Sequence, residues 1–266
     1  MTTALLTGDR LWVDDRGDGP PVLLIAGLGD PAEAWAFQQD GLSSRYRTIA
    51  FDNRGVGRSP LPDTPLTVAG MADDVVTVLD DLGIDRADIV GFSGGSVTAQ
   101  ELAIRHPERV KSLVLMGTFG RGDRYFNAVV RMFTWMMDEA PDPRAFLEAF
   151  YLWIYTAEAF ESGFVDQLID EALAFPHPQS PESMHQQLDA WGYHVTLDRV
   201  GQVTAPTLVI AGGRDLICPA HLGKAVADAI PGALFEMWPE AAHQPFQEDP
   251  EKFNARLEAF WSSLDR

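Results

Sequence analysis

The sequence predicts an α/β fold, a mostly parallel, doubly wound sheet interrupted by a helical insertion. Three observations carry this reading. Short apolar runs recur at residues 21–26, 46–51, 87–91, 111–116, 206–211 and 233–238. Most are rich in Val, Ile and Leu without alternation, as expected of strands buried on both faces of a parallel sheet. Segments near 67–82, 96–106, 220–230 and 250–263 carry apolar residues at helical spacing, for example Met71, Val75, Val78 and Leu82. Strand and helix in repetition make a doubly wound sheet. The third observation is a break in that rhythm: from about residue 120 to 203 no clear strand occurs, and the pattern is helical.

The elements follow in order. Residues 4–7 and 10–14, with Gly8-Asp9 between them, read as a hairpin at one edge of the sheet. The core is expected to comprise residues 1–119 and 204–266, and residues 120–203 a helical lid. That insertion is crowded with Met and aromatic residues: 131–137 reads RMFTWMM, and Phe146, Phe150, Tyr151, Trp153 and Tyr155 follow closely. Such side chains can bury one another, or line an apolar pocket beneath a lid, and the two arrangements are compatible. Trp135, Trp153 and Trp191 are the candidate pocket residues.

Composition bounds the function. With 266 residues, 46% of them hydrophobic and 22% charged, the chain can bury a core without staples. A single cysteine, Cys218, excludes an intramolecular disulfide and any zinc site built on a cysteine pair. The formal net charge of −19 would repel a phosphate backbone or an anionic bilayer, so neither nucleic acid nor membrane is an expected partner. No apolar run is long enough to span a bilayer. The first ten residues lack a basic stretch followed by an apolar region, so no signal peptide is expected, and a reducing cytoplasm fits best.

The strongest chemical signal is Gly91-Phe92-Ser93-Gly94-Gly95, which is G-x-S-x-G between a predicted strand and a predicted helix. In that context the turn is tight enough to force the serine into a strained backbone with its hydroxyl presented above the sheet. Side chains at 91 and 95 would collide with neighbouring backbone, and the Gly94 N–H would point where an oxyanion develops. A serine needs a base and an acid. Of six histidines, His243 lies in a loop after the last apolar strand, where such sheets place their ligands. His106, His177, His185, His194 and His221 have surface, capping or packing explanations. Asp215 is the first carboxylate after the run at 206–211. The order Ser93, Asp215, His243 is that expected of a triad on this architecture.

With these residues in view, the chain resembles the α/β-hydrolase superfamily, of the lid-bearing serine hydrolase type, over nearly its whole length. The resemblance includes Asp52-Asn53-Arg54-Gly55-Val56-Gly57-Arg58-Ser59, similar to the family's D-x-R-G-x-G-x-S loop, and Gly27-Leu28-Gly29 with Trp35 downstream. Gly55-x-Gly57 lacks the third glycine and the following helix of a dinucleotide site, so Asp52 and Arg54 are read as braces of that loop. The family places a second oxyanion amide in an H-G-x-G segment. The matching stretch here is Ala26-Gly27-Leu28-Gly29, which makes Leu28 N–H the donor and puts alanine where histidine is usual.

The resemblance implies acyl transfer to water through an acyl-enzyme, with no metal or organic cofactor. The expected substrate is a small ester or lactone, largely apolar or aromatic, and the expected assembly a monomer or homodimer. Serine at position 93 argues against the epoxide and haloalkane branches, which use aspartate there. Gln244 stands where carbon–carbon bond hydrolases usually carry tryptophan. The same triad would also serve cofactor-independent haloperoxidase or perhydrolase chemistry, carbon–carbon bond cleavage, or a small-molecule receptor with slow turnover.

Overall fold

A computed structural model describes residues 2–6 by their backbone and residues 11–264 with their side chains. Eight strands form one sheet: β1 (Thr2–Leu6), β2 (Trp12–Arg16), β3 (Pro21–Ile25), β4 (Arg47–Phe51), β5 (Ala87–Phe92), β6 (Val110–Met116), β7 (Thr207–Gly212) and β8 (Leu234–Trp238). Their spatial order is β1-β2-β4-β3-β5-β6-β7-β8. β1 and β2 pair antiparallel and β2 runs antiparallel to β4, whereas every other neighbouring pair is parallel. The expected hairpin is therefore an antiparallel edge pair, with both strands displaced from the predicted positions. Its Gly8-Asp9 turn lies outside the described residues.

The unalternating apolar runs have a direct structural cause, because successive residues of a buried strand point to opposite faces and both must be apolar. Leu23, Ile25, Ile49, Ile89, Leu113, Leu115 and Val209 enter one core layer, against helices α2 (Val68–Asp81), α3 (Gly94–Arg105) and α9 (Ala220–Ala229). Val22, Leu24, Ala50, Val90, Val114, Leu208 and Ile210 enter the other, against α1 (Ala36–Leu42) and the C-terminal helix Pro250–Ser263. The outer strand β8 is more exposed than the central ones.

Helix α2 begins where Thr67 Oγ1 accepts a bond from Gly70 N–H at 3.0 Å, an N-cap just ahead of the apolar periodicity. β3 is flanked by β4 on one side and β5 on the other, so the chain reverses its direction of travel across the sheet there. A crevice opens at the carboxyl ends of strands at such a switch point. The loops after β3 and β5 meet in it.

Five helices occupy the stretch between β6 and β7: α4 (Arg124–Glu139), α5 (Pro143–Tyr151), α6 (Ala157–Glu161), α7 (Phe164–Ala174) and α8 (Pro181–Gly192). Asp123, Asp142, Thr156 and Ser180 cap four of them through side-chain oxygens. Helix α8 is tied firmly to the core. Trp191 Nε1 donates to Thr98 Oγ1 at 3.0 Å, Ser183 Oγ to the Gly55 carbonyl at 2.7 Å, and Leu66 N–H to Gln186 Oε1 at 3.2 Å. The ion pairs of α5 instead run to Asp170 of α7 and within α5 itself. No helix among the described residues is long and apolar enough to cross a membrane.

Helix α4 buries Phe126, Val129, Val130, Phe133 and Met136 along one stripe. Trp135 is nine residues on from Phe126, about half a turn around the helix from that stripe, and is 63% exposed. Trp135→Ala is therefore expected to change unfolding free energy by no more than about 0.5 kcal/mol, measured by urea denaturation, and to leave substrate preference as it was.

Candidate active site

The turn after β5 holds the single described non-glycine residue with positive φ, Ser93, at φ 51° and ψ −122°. A serine costs about 1–3 kcal/mol in such a conformation. The surroundings impose it. Ser93 N–H donates to the Met116 carbonyl at 2.9 Å, and the Ser93 carbonyl accepts from Ser96 N–H at 2.9 Å and Ser96 Oγ at 2.5 Å. The flanking glycines permit it: a Cβ on Gly91 would stand 2.7 Å from the Gly95 carbonyl oxygen, and one on Gly95 would stand 2.4 Å from the carbonyl oxygens of Ile25 and Ala26. The loop after β3 can thus lie against the start of α3.

His243, 3% exposed, brings its Nε2 to 3.0 Å from Ser93 Oγ and its Nδ1 to 2.7 Å from Asp215 Oδ2. The other carboxylate oxygen, Asp215 Oδ1, accepts from the backbone N–H groups of Ile217 and Cys218, both at 2.8 Å. Those bonds fix the carboxylate, which in turn fixes the imidazole. The ring also packs on Phe92, centroids 4.8 Å apart, and its backbone N–H donates to the Ile154 carbonyl between α5 and α6 at 3.0 Å. The loop bearing it is pinned just downstream, where Phe246 stacks on Trp35 and Gln38 Nε2 donates to the Phe246 carbonyl at 2.8 Å. Four of the other histidines, at 106, 185, 194 and 221, lie 2.8–2.9 Å from carboxylates away from this site. His177 rests near the Phe175 ring.

Leu28 and Gly94 line the same pocket as Ser93 and His243. Gly94 is the first residue of α3, and the first amides of a helix have no partner within it. The loop carrying Leu28 is anchored without the histidine usual in such segments, since Asn53 Nδ2 donates to the Ala26 carbonyl at 3.1 Å. Asp52 completes the brace by accepting from Ala32 N–H and from Arg58 N–H and Nε, each at 2.8 Å. Arg54 pairs instead with Asp74.

The pocket has a volume of about 50 Å³, with apolar walls that include Phe119, Phe126, Phe133, Phe150, Ile217 and Trp191. Of the three tryptophans expected there, only Trp191 lines it. Its indole lies over Gly94, so close that a Cβ on that glycine would come within 2.3 Å of the ring. The other two expectations are corrected. Trp135 faces outward, and Trp153 packs edge-on against the back of Phe133, ring centroids 5.9 Å apart, rather than on the pocket wall.

Asp30 and Gln244 also line the pocket, and sequence reasoning did not single either out as a site residue. Burial pushes the Asp30 carboxyl up to about 7, while His243 and the Gln244 amide pull it the other way. The Asp30 charge also acts on Tyr151 and Tyr155, whose phenols are pushed upward chiefly by burial. The one available signal was position, an acidic residue immediately after Gly29 at a strand end.

Two outcomes follow from this geometry. Ser93→Gly is expected to raise unfolding free energy by about 1–3 kcal/mol by relieving the positive φ, as read from denaturant midpoints, while removing the hydroxyl. For Asp30, the folded state retains a proton between pH 4 and 7 that the unfolded chain has released, so this group lowers stability as pH rises through that window. The melting temperature of Asp30→Asn minus that of the parent should therefore grow from pH 4 to about 7 and then level off.

Comparison with known proteins places the chain. The model of the family described as "alpha/beta hydrolase fold" matches residues 20–250. The provisionally named non-heme bromoperoxidase BpoC of Mycobacterium tuberculosis is 34% identical over 264 residues, covering 96% of this chain and 98% of that protein. The provisionally named carbamate hydrolase RutD of a Caulobacter species is 31% identical, covering 96% and 97%. Among solved structures, the enol-lactonase of Burkholderia xenovorans LB400 superposes with a TM-score of 0.86 at 25% identity, covering 98% and 100%. The chain belongs to the alpha/beta hydrolase fold family and is a hydrolase of that fold.

Proposed function

We propose that the protein is a serine hydrolase that cleaves a carboxylic ester or lactone of a small, largely apolar or aromatic molecule. The observation that carries the reading is the hydrogen-bonded chain Ser93–His243–Asp215, with separations of 3.0 and 2.7 Å, opening on an apolar pocket. The serine is strained, the imidazole is held from both sides, and the carboxylate is saturated by backbone donors. Each property suits a nucleophile, its base and the group that orients the base.

In this reading His243 Nε2 takes the Ser93 proton as Oγ attacks the carbonyl carbon. Asp215 keeps the proton-bearing nitrogen of the imidazole on its own side and stabilises the imidazolium. The Leu28 and Gly94 amides receive the negative charge that develops on the carbonyl oxygen, and losing one such donor typically costs about 3–4 kcal/mol of transition-state stabilisation. His243 then returns its proton to the leaving alcohol and activates a water that releases the acid. The helices between β6 and β7 serve as the lid, and Trp191 lays its ring over Gly94.

The enol-lactonase similarity supports a carbonyl–oxygen bond as the scissile one. The 34% identity to a protein named as a bromoperoxidase favours a second reaction of the same acyl-enzyme, in which hydrogen peroxide replaces water and a peracid leaves.

The test is pH-stat proton release from esters and lactones of graded acyl size. Ser93→Ala is expected to lower kcat by about 10⁶-fold and Asp215→Asn by about 10⁴-fold, with melting temperatures close to that of the parent. Substantial turnover by Ser93→Ala would remove Ser93 as the nucleophile. Adding peroxide with a peracid-trapping dye reads the second reaction.

A further inference from the structure

Apart from Ser93 and His243, which bond to each other, three side chains bring polar atoms to the pocket wall. Trp191 gives its N–H to Thr98. Asp30 and Gln244 remain. Gln244 is 2% exposed, and its Nε2 has no hydrogen-bond partner. Tyr155 OH lies 3.4 Å from Gln244 Oε1, yet it has one proton to give and sits 2.6 Å from Gln247 Oε1. Asp30 is partly exposed and lies near enough to His243 and Gln244 that the imidazole and the Gln244 amide both draw its carboxyl down, although Gln244 Nε2 stands outside hydrogen-bond geometry. A buried amide serving only structure would have both its donor and its acceptor bonded. Gln244 instead leaves its donor unpaired at the wall of an apolar cavity that the Asp30 carboxyl also lines.

We propose that Asp30 and Gln244 form a polar subsite beside His243 that receives a hydroxyl group of the substrate, with Gln244 Nε2 donating to the hydroxyl oxygen and Asp30 accepting its O–H. The inference rests on the hydrolase reading above and narrows its substrate class to hydroxylated esters or lactones. A hydroxyl matches the pair because it accepts and donates through one atom. An ammonium group would oppose the Gln244 N–H, and a carboxylate would oppose Asp30 once it ionises, above about pH 7. A carboxamide carries both functions on two separate atoms, and the ω-carboxamide analogue below distinguishes it from a hydroxyl. The upward displacement of the Asp30 carboxyl agrees with a group whose partner comes from the ligand rather than from the protein.

The experiment uses methyl hexanoate, its five positional hydroxy derivatives, and ω-amino, ω-carboxy and ω-carboxamide analogues, with kcat/KM measured for the parent, Asp30→Leu and Gln244→Leu. One hydroxy ester is expected to exceed the plain ester about ten-fold or more, because a site built to bond a hydroxyl discriminates against the analogue lacking it. That ratio should fall to about one in either variant. If Asp30→Leu melts below the assay temperature, Asp30→Ala supplies the comparison. The proposal is overturned if no hydroxy ester outruns the plain one, if the ratio survives in both variants, or if a charged or carboxamide analogue is preferred.

Turnover of the plain ester that Ser93→Ala abolishes reports on the hydrolase reading separately. With no turnover of any ester, calorimetric binding of the hydroxy and plain esters to Ser93→Ala decides the subsite. A preference for a hydroxy ester that disappears in Ser93→Ala/Asp30→Leu upholds it, and equal binding overturns it.

Discussion

Everything at the site depends on one close approach, that of the loop after β3 to the turn after β5. Gly95 lets the carbonyls of Ile25 and Ala26 come closer to its Cα than any side chain would permit. That contact brings the Leu28 loop beside Ser93, and with the Met116 and Ser96 bonds it holds the serine at a backbone angle that serine avoids. The parallel sheet supplies the rigidity. Both strands are buried on each face and paired on each side, so neither can relax to relieve the turn. Local strain persists where the surroundings over-determine it.

Electrostatic order at the site is achieved with few groups. Asp215 spends one oxygen on two backbone amides and the other on His243. In a chain with a formal net charge of −19, many other carboxylates are paired with arginines or histidines, as the buried Glu101 is with His194 and Arg199, whose bonds hold it down at about 2 against the opposing effect of burial. Asp30 is the contrast, since burial raises it and no cation of the protein pairs with it among the described residues.

Much of this was legible in the sequence because it follows from short-range rules. Buried parallel strands have no polar face, so six apolar runs located six strands. G-x-S-x-G needs a strand before it and a helix after it, and of the residues named from chain order, His243 comes within hydrogen-bonding distance of both Ser93 and Asp215. What was illegible has equally physical causes. Helix α1 carries no apolar stripe because Gln38 and Gln39 are buried in it, their amides bonded to the carbonyls of Phe246 and Asp14. Trp135 and Trp153 misled, and Trp191 did not, because aromatic content says nothing about which side of a helix faces inward. Asp30 and Gln244 differ from ordinary loop residues only through neighbours remote in sequence.

The unequal fastening of the lid divides the molecule in a second way. Helix α8 is bonded to α3 and to the loop that carries Gly55, and its Trp191 forms part of the wall against which the oxyanion would develop. The Arg144–Asp170 pair joins α5 to α7, and the Arg144–Glu148 pair stays within α5. Inherited changes in α5 ahead of Ile154 can therefore reshape the part of the wall that Phe150 lines while the reacting groups stay in place, whereas changes in α8 reach the chemistry directly. One stretch of chain between two strands thus holds a conservative part and a permissive part, and a lineage can explore new substrates through the second without rebuilding the first.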